Sequence, residues 1–383
     1  MWLTSKLFLT SIVFFSLKFE ILAQVSALGI NPELTTNQRD HRIKEVCSLL
    51  TSYFANNESH DRCKLWNSND LVRLAVPDIY LSYFCASEKY SSTCSFKPYL
   101  LQINRVDATT YSAIISFSKA SPSFISIAGI VEIIVVDLKG TFKISNTLLF
   151  SLKKNKWRQV TIGNVIFNLS PRVLFDEKQA SSLIEFDTKI SKIFGLRPIT
   201  ISYISTADFA EMQKIRGMHF DLDAVQGGAA QTDFDNNIIY VSNGRLDYFH
   251  EVVHIYYFQN YKKTNCYNQF WSEALATYWG GSMEQTLDWH IKQIRRAREF
   301  NDSYNFHDLE NLKSIDSLPM TNMSYVIGAL LCKGIFKKLG DQNGLHKILL
   351  VNDMDQTYKL IENVLGVKKN KLGEYLRDQI SQL

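Results

Sequence analysis

Apolar positions change their spacing along the chain, and the changes mark out its parts. From Asp40 to about Phe54 the residues Ile43, Val46, Leu49, Leu50 and Phe54 recur at helical spacing and predict an amphipathic helix. The next runs alternate or are rich in β-branched residues. They cover 100–103, 111–115, 129–136, 147–152 and 157–160, punctuated by Asp137, Gly140, Lys154 and Asn155, and predict strands. One or two helices followed by an antiparallel sheet make an α+β module. This module ends at Leu169-Ser170-Pro171. Helical spacing returns from Asp176 to about Phe194. It gives way to a strand at 198–204, a helix at 207–216 and a strand at 238–241 behind the turn Asp235-Asn236-Asn237. Beyond residue 273 helical patterns dominate, at 284–300, 322–339, 343–351, 355–364 and 370–382. The expected class is α+β, with an accessory module over 40–171 and a second domain over 172–383.

The first residues read as an address. Lys6 precedes an apolar run from Leu7 to Leu17, and Ile21-Leu22-Ala23-Gln24 offers a cleavage point, so 1–23 is expected to be a secretory signal peptide. A membrane anchor is the competing reading, but the run is short and is closed by Lys18 and Glu20. No later stretch resembles a membrane span. The polar, turn-rich residues 24–39 then form a linker, and the mature chain is expected in the periplasm, at the cell surface or outside the cell. The full sequence of 383 residues, 46% hydrophobic and 21% charged, suits a globular enzyme with one large or two smaller domains. A net charge of +4, with basic residues in nothing longer than pairs such as Lys153-Lys154, argues against nucleic-acid binding. Six cysteines in an exported chain permit disulfides, and the obvious pairs are Cys85 with Cys94, Cys47 with Cys63, and Cys266 with Cys332. Buried free thiols are the alternative.

The chemistry concentrates at His250-Glu251-Val252-Val253-His254, followed after eighteen residues by Glu273. Positions i and i+4 share one helical face, so both imidazoles can converge on one metal ion. Glu251, one residue round from His250, suits a general base facing a water better than a ligand. Glu273, on a following antiparallel helix, can supply the third ligand. Three ligands and one open position describe a catalytic zinc site; a structural site takes four ligands, usually rich in Cys, and Cys-x-x-Cys is absent here. The bland reading is a surface helix carrying two histidines and a salt-bridging Glu. An accidental His-Glu-x-x-His is expected in roughly one chain in a hundred of this composition. Tyr248, Phe249, Val252, Val253, Ile255, Tyr256, Tyr257 and Phe258 also make the helix apolar nearly all round, hence buried, and buried His and Glu require partners.

On these residues, and on Glu273-Ala274-Leu275-Ala276-Thr277-Tyr278, the chain over about 175–380 resembles the gluzincin peptidases, the superfamily that includes thermolysin and the membrane alanyl aminopeptidases. The resemblance implies a peptidase domain with a small sheet, a metal-site helix and a mainly helical C-terminal part. It implies one zinc ion per chain on His250, His254 and Glu273, with Glu251 as general base. Zinc lowers the pKa of bound water towards about 7 and polarises the scissile carbonyl, while the carboxylate takes the proton and passes it to the leaving amine. Tyr325 falls where the aminopeptidase branch carries an oxyanion donor, although a packing role suits it equally. Gly228-Ala229-Ala230-Gln231 occupies the place of that branch's Gly-Ala-Met-Glu-Asn, with Gln231 for Glu and Thr232 for Asn, which speaks against strict recognition of a free α-amino group. Thr277 could accept the second ring N–H of a ligand histidine, or simply lie on the helix surface. The expected function is that of a secreted zinc metallopeptidase acting on peptides or proteins. A catalytically silent binding protein and a metal-dependent hydrolase of another substrate class share the same residues, and an intact Glu251 favours activity.

Overall fold

The computed structural model describes residues 28–30, 41–55, 63–75, 96–120, 123–222, 230–297, 304, 306, 308–312, 315 and 317–382. The leader read over 1–23, the cysteines Cys85 and Cys94, and Gly228 and Ala229 lie outside them. Two compact units emerge. One holds the described residues up to Trp157 together with Ala210–Gly227, and the other holds Arg158–Phe209 with the chain from Gly228 onward.

In the first unit the expected helix is present as α1 (His41–Ala55), followed by the short α2 (Ser68–Arg73). The β-branched runs pair as β2 (Lys97–Arg105), β3 (Thr110–Ala120), β4 (Ile125–Asp137) and β5 (Phe142–Ser145) in antiparallel succession. Alternation on β3 sends Tyr111, Ala113, Ile115 and Phe117 to one face. There they pack with Val131, Ile133 and Val135 of β4 and with Val46, Leu50, Tyr53 and Phe54 of α1. Each fully buried Leu or Val in such a core contributes about 1.5–3 kcal/mol.

Three features of this unit differ from the pattern reading. Gly29–Ile30, inside the stretch expected to be a linker, forms β1 and pairs in parallel with β2. The run 147–152 is a helix, α3 (Thr147–Lys154), and not a strand. The Asn146 side chain caps it by accepting from Leu149 N, and Lys153 and Lys154 sit favourably at its C-terminal end. A late excursion carries α5 (Phe209–Ile215) and β9 (Met218–Asp221), and β9 pairs with Gly129–Val131 of β4.

In the second unit the hairpin β6 (Arg158–Ile162) and β7 (Val165–Leu169), grouped by pattern with the N-terminal module, joins the second sheet. From β7 the helix α4 (Glu177–Ile193) crosses to β8 (Ile201–Ser205), which lies parallel to β7. Next to β8 runs β11 (Ile238–Val241), and β10 (Ala230–Asp233) pairs antiparallel with β11 at the sheet edge. Helices follow: α6 (Phe249–Thr264), α7 (Gln269–Gly280), α8 (Leu287–Arg296), α9 (Met323–Leu339), α10 (Asp341–Ile348), α11 (Met354–Leu365) and α12 (Leu372–Gln382). The mixed α+β class with a largely helical C-terminal part is as expected. Among the described residues no helix is long and apolar enough to cross a membrane.

Among the described residues, the expected pairs Cys47 with Cys63 and Cys266 with Cys332 do not form. Cys47, Cys63, Cys266 and Cys332 are free thiols. Cys332 is sealed inside the helical core, and Cys266, partly exposed, turns its Sγ to the carbonyl of Thr264 at 3.5 Å.

Candidate metal centre and active site

Helix α6 is buried along its first two turns, with His250, Glu251, Val252, Val253, His254, Ile255, Tyr256 and Tyr257 all in the interior. Its C-terminal cap is Asn265 in the left-handed region at φ 54°, a conformation Asn tolerates, so the chain reverses within a few residues into α7. Asn268 caps α7 by accepting from Trp271 N. The two helices are antiparallel, because their contacts run in opposite order. His254 Nδ1 lies 2.9 Å from Ser272 Oγ, and His250 Nδ1 lies 2.6 Å from the carbonyl oxygen of Gly281. The second contact depends on Gly280, where a Cβ would stand 2.6 Å from the backbone nitrogen of His250.

These outer contacts set the inner ones. A carbonyl oxygen only accepts, so His250 Nδ1 carries the hydrogen and Nε2 presents a lone pair. The Ser272 hydroxyl oxygen has lone pairs with which to accept from His254 Nδ1. Both Nε2 atoms then face one oxygen, Glu273 Oε2, at 3.2 and 3.5 Å. Three acceptors pointed at one another repel unless a cation lies among them. Among the described residues this is the one cluster of three His, Cys, Asp or Glu side chains with donor atoms close enough, within 4.8 Å, to hold a metal ion. The two-nitrogen, one-oxygen set fits a tetrahedral ion with one position left open. Without an ion, a proton answers the same crowding. Burial opposes charge on His250, yet the hydrogen bond to Glu273 and the neighbouring Glu251 outweigh it and raise its pKa. Burial likewise opposes ionisation of Glu273, and the two histidines hold it well below the usual carboxylate range.

Glu251 points elsewhere. Its carboxylate joins no ligand contact and instead accepts from the hydroxyl of Thr232 on β10, Oγ1 to Oε2 2.5 Å. Tyr325 reaches the centre from α9. The Asn322 side chain caps that helix, and at Gly328 a Cβ would lie 2.6 Å from Ala274 Cβ, so α9 crosses α7 closely. One turn before Gly328, the Tyr325 ring stacks on His250 with centroids 6.1 Å apart, close enough to Glu273 to feel its charge. Burial and Glu273 push its pKa up, which keeps the phenol protonated and able to donate.

The structure thus brings His250, Glu251, His254, Glu273 and Tyr325 together. Thr277 takes no part: its hydroxyl is buried without a hydrogen-bond partner among the described residues, and the ring N–H groups it could have accepted go to Gly281 and Ser272. Ser272, Gly281 and Thr232 are the participants that spacing does not reveal. A cavity of about 650 Å³ opens beside the start of α6, lined by Phe186, Tyr248, His250, Trp279, Gly281 and Glu284 among others. Neither Glu251 nor Glu273 lines it, so it flanks the metal face from the Gly281 side.

The spacing and the convergence together make this a gluzincin-type catalytic constellation, His-Glu-x-x-His followed after eighteen residues by Glu, and its geometry supports a zinc peptidase mechanism. No protein-family model and no curated protein sequence matches the chain. Among solved structures it is similar to an M1 zinc metallopeptidase from Deinococcus radiodurans, at 12% identity and a TM-score of 0.31, over 74% of this chain and 62% of that one.

Proposed function

We propose that the chain is an exported metallopeptidase that holds one zinc ion on His250, His254 and Glu273 and cleaves peptides or proteins with Glu251 as general base. The observation that carries this is the approach of two imidazole Nε2 atoms to one Glu273 oxygen while the outer nitrogens are tied to Gly281 and Ser272. Zinc, when bound, supplies Lewis acidity toward the water and the carbonyl. The chain supplies the rest. Glu251 takes a proton from the attacking water, whose oxygen bonds the carbonyl carbon. That proton then passes to the amine nitrogen as the C–N bond breaks. Tyr325, kept protonated, donates to the oxygen on which charge develops. An extended substrate would pair along β10, the last strand of the described sheet. The exported location rests on the leader pattern of residues 1–23.

Specificity is proposed to favour internal bonds. Gln231 offers no charge for a free amine, and both oxygens of Asp233 are engaged by Asn236, at 3.2 Å from its backbone N and 2.7 Å from Nδ2. Acetylating a substrate's N-terminus is therefore expected to leave its cleavage rate largely unchanged.

Elemental analysis and turnover test the proposal together. Wild type should carry one zinc and His254→Ala little, while Glu251→Gln should retain zinc and lose turnover by roughly 100-fold or more. Equal zinc in wild type and His254→Ala, or near wild-type turnover in Glu251→Gln, would overturn the assignment.

A further inference from the structure

Thr232 stands where the edge strand meets the base. On β10, alternation separates Thr232 from Gln231 and Asp233, and the Thr232 hydroxyl turns toward α6. Two residues further on, Phe234 meets the same helix, with its ring edge-on to His254 at 6.1 Å between centroids. The strand is held there. Asp233 ties down the turn through Asn236, and Gln259 of α6 donates to Asn237 Oδ1 at 3.0 Å.

Glu251 is 8% exposed, and among the described residues Thr232 is the one side chain that hydrogen-bonds its carboxylate. The hydroxyl has a second acceptor in range, the Glu251 carbonyl at 3.5 Å, but the carboxylate contact at 2.5 Å is far shorter and charge-assisted. One carboxylate oxygen is thereby occupied and the other is left free. Without this bond the side chain has rotamers open to it that aim the free oxygen away from the metal face.

We propose that Thr232 is a positioning residue for the peptidase reaction: its hydroxyl pins Glu251 Oε2, so that Oε1 is presented to the water whose proton it takes. The inference rests on the peptidase reading above. It also couples substrate to base, since the strand offered to the substrate backbone carries the group that orients the carboxylate.

The test uses the full chain loaded with zinc, the variants Thr232→Val and Thr232→Ser, and an acetylated, internally quenched peptide picked from a mixture library by wild-type cleavage. Thr232→Val keeps shape and removes the donor. It should lower kcat by roughly 10- to 100-fold, with KM within about threefold and zinc content unchanged. Thr232→Ser should recover most of the loss. A second readout needs no turnover. In thermal unfolding of the metal-free chain, Thr232→Val and Glu251→Gln should lower Tm less together than the sum of their separate effects. Thr232→Val retaining kcat within twofold while Glu251→Gln loses activity would overturn the role of Thr232 alone. Equal losses in Val and Ser, or additive Tm changes, would do the same. Activity surviving in Glu251→Gln, or none in wild type, would overturn the peptidase reading and the inference with it.

Discussion

Ser272 immediately precedes one metal-ligand candidate, yet its hydroxyl serves another, His254. Outer partners of this kind orient an imidazole and set its basicity, and their loss typically costs 10- to 100-fold in metal affinity. Ser272→Ala is therefore expected to fold normally and to bind zinc about 10- to 100-fold more weakly, as read by competition with a chromophoric chelator. Unchanged affinity would show that the hydroxyl does not orient the ring. Three of the principal residues were legible because helical geometry alone places His250 and His254 on one face and Glu251 beside them, and Glu273 because its eighteen-residue spacing matches the gluzincin pattern. Ser272 and Gly281 were not, because which neighbour reaches the outer nitrogen depends on how closely α6 and α7 approach. Thr277 illustrates the limit: it shares a helical face with Glu273, one turn on, but its hydroxyl makes no contact with either histidine.

Among the elements, the strands of the first unit converge on one carboxylate. Glu132 of β4 accepts from the Ser112 hydroxyl of β3 and faces His219 Nε2 of β9 at 3.7 Å. The His219 contact chiefly, then Ser112, hold its pKa below the usual carboxylate value against the opposing effect of burial. A lowered folded pKa contributes stability above the unfolded value of about 4.3, and that contribution is lost as pH falls through the folded value. Glu132→Gln should thus be less stable than wild type at pH 7, and the gap should close under acid, in denaturant titrations run at both conditions. A gap that widened on acidification would contradict the linkage. Pattern reading found the long elements of both units, since β3, β4, α4 and α9 repeat their period over many residues. It missed α3, where a continuous apolar run has no period to tell helix from strand and the deciding residue is the cap at Asn146. It missed β5 because four residues behind the Gly140 turn are too few to show alternation.

For the whole molecule, the feature invisible from sequence is that the first unit is closed by a later part of the chain. One side of β4 is shared: β5 pairs with Ile134–Asp137, and β9 pairs with Gly129–Val131. No local pattern announces that pairing, since β9 follows a βαβ segment that belongs to the second sheet. A chain made from its N-terminus on a ribosome must therefore wait. The sheet carries a bare edge at Gly129–Val131, with Met218 missing from its core, until β6, β7, α4 and β8 have all been synthesised. The nascent first unit therefore exposes an unpaired strand edge, a template for wrong association. A fragment of residues 28–157 should form oligomers on gel filtration, and a synthetic peptide of residues 210–227 added to it should complete the sheet and return it to a monomer. A fragment already monomeric and cooperatively folded without the peptide would show that the first unit matures before its last strand exists.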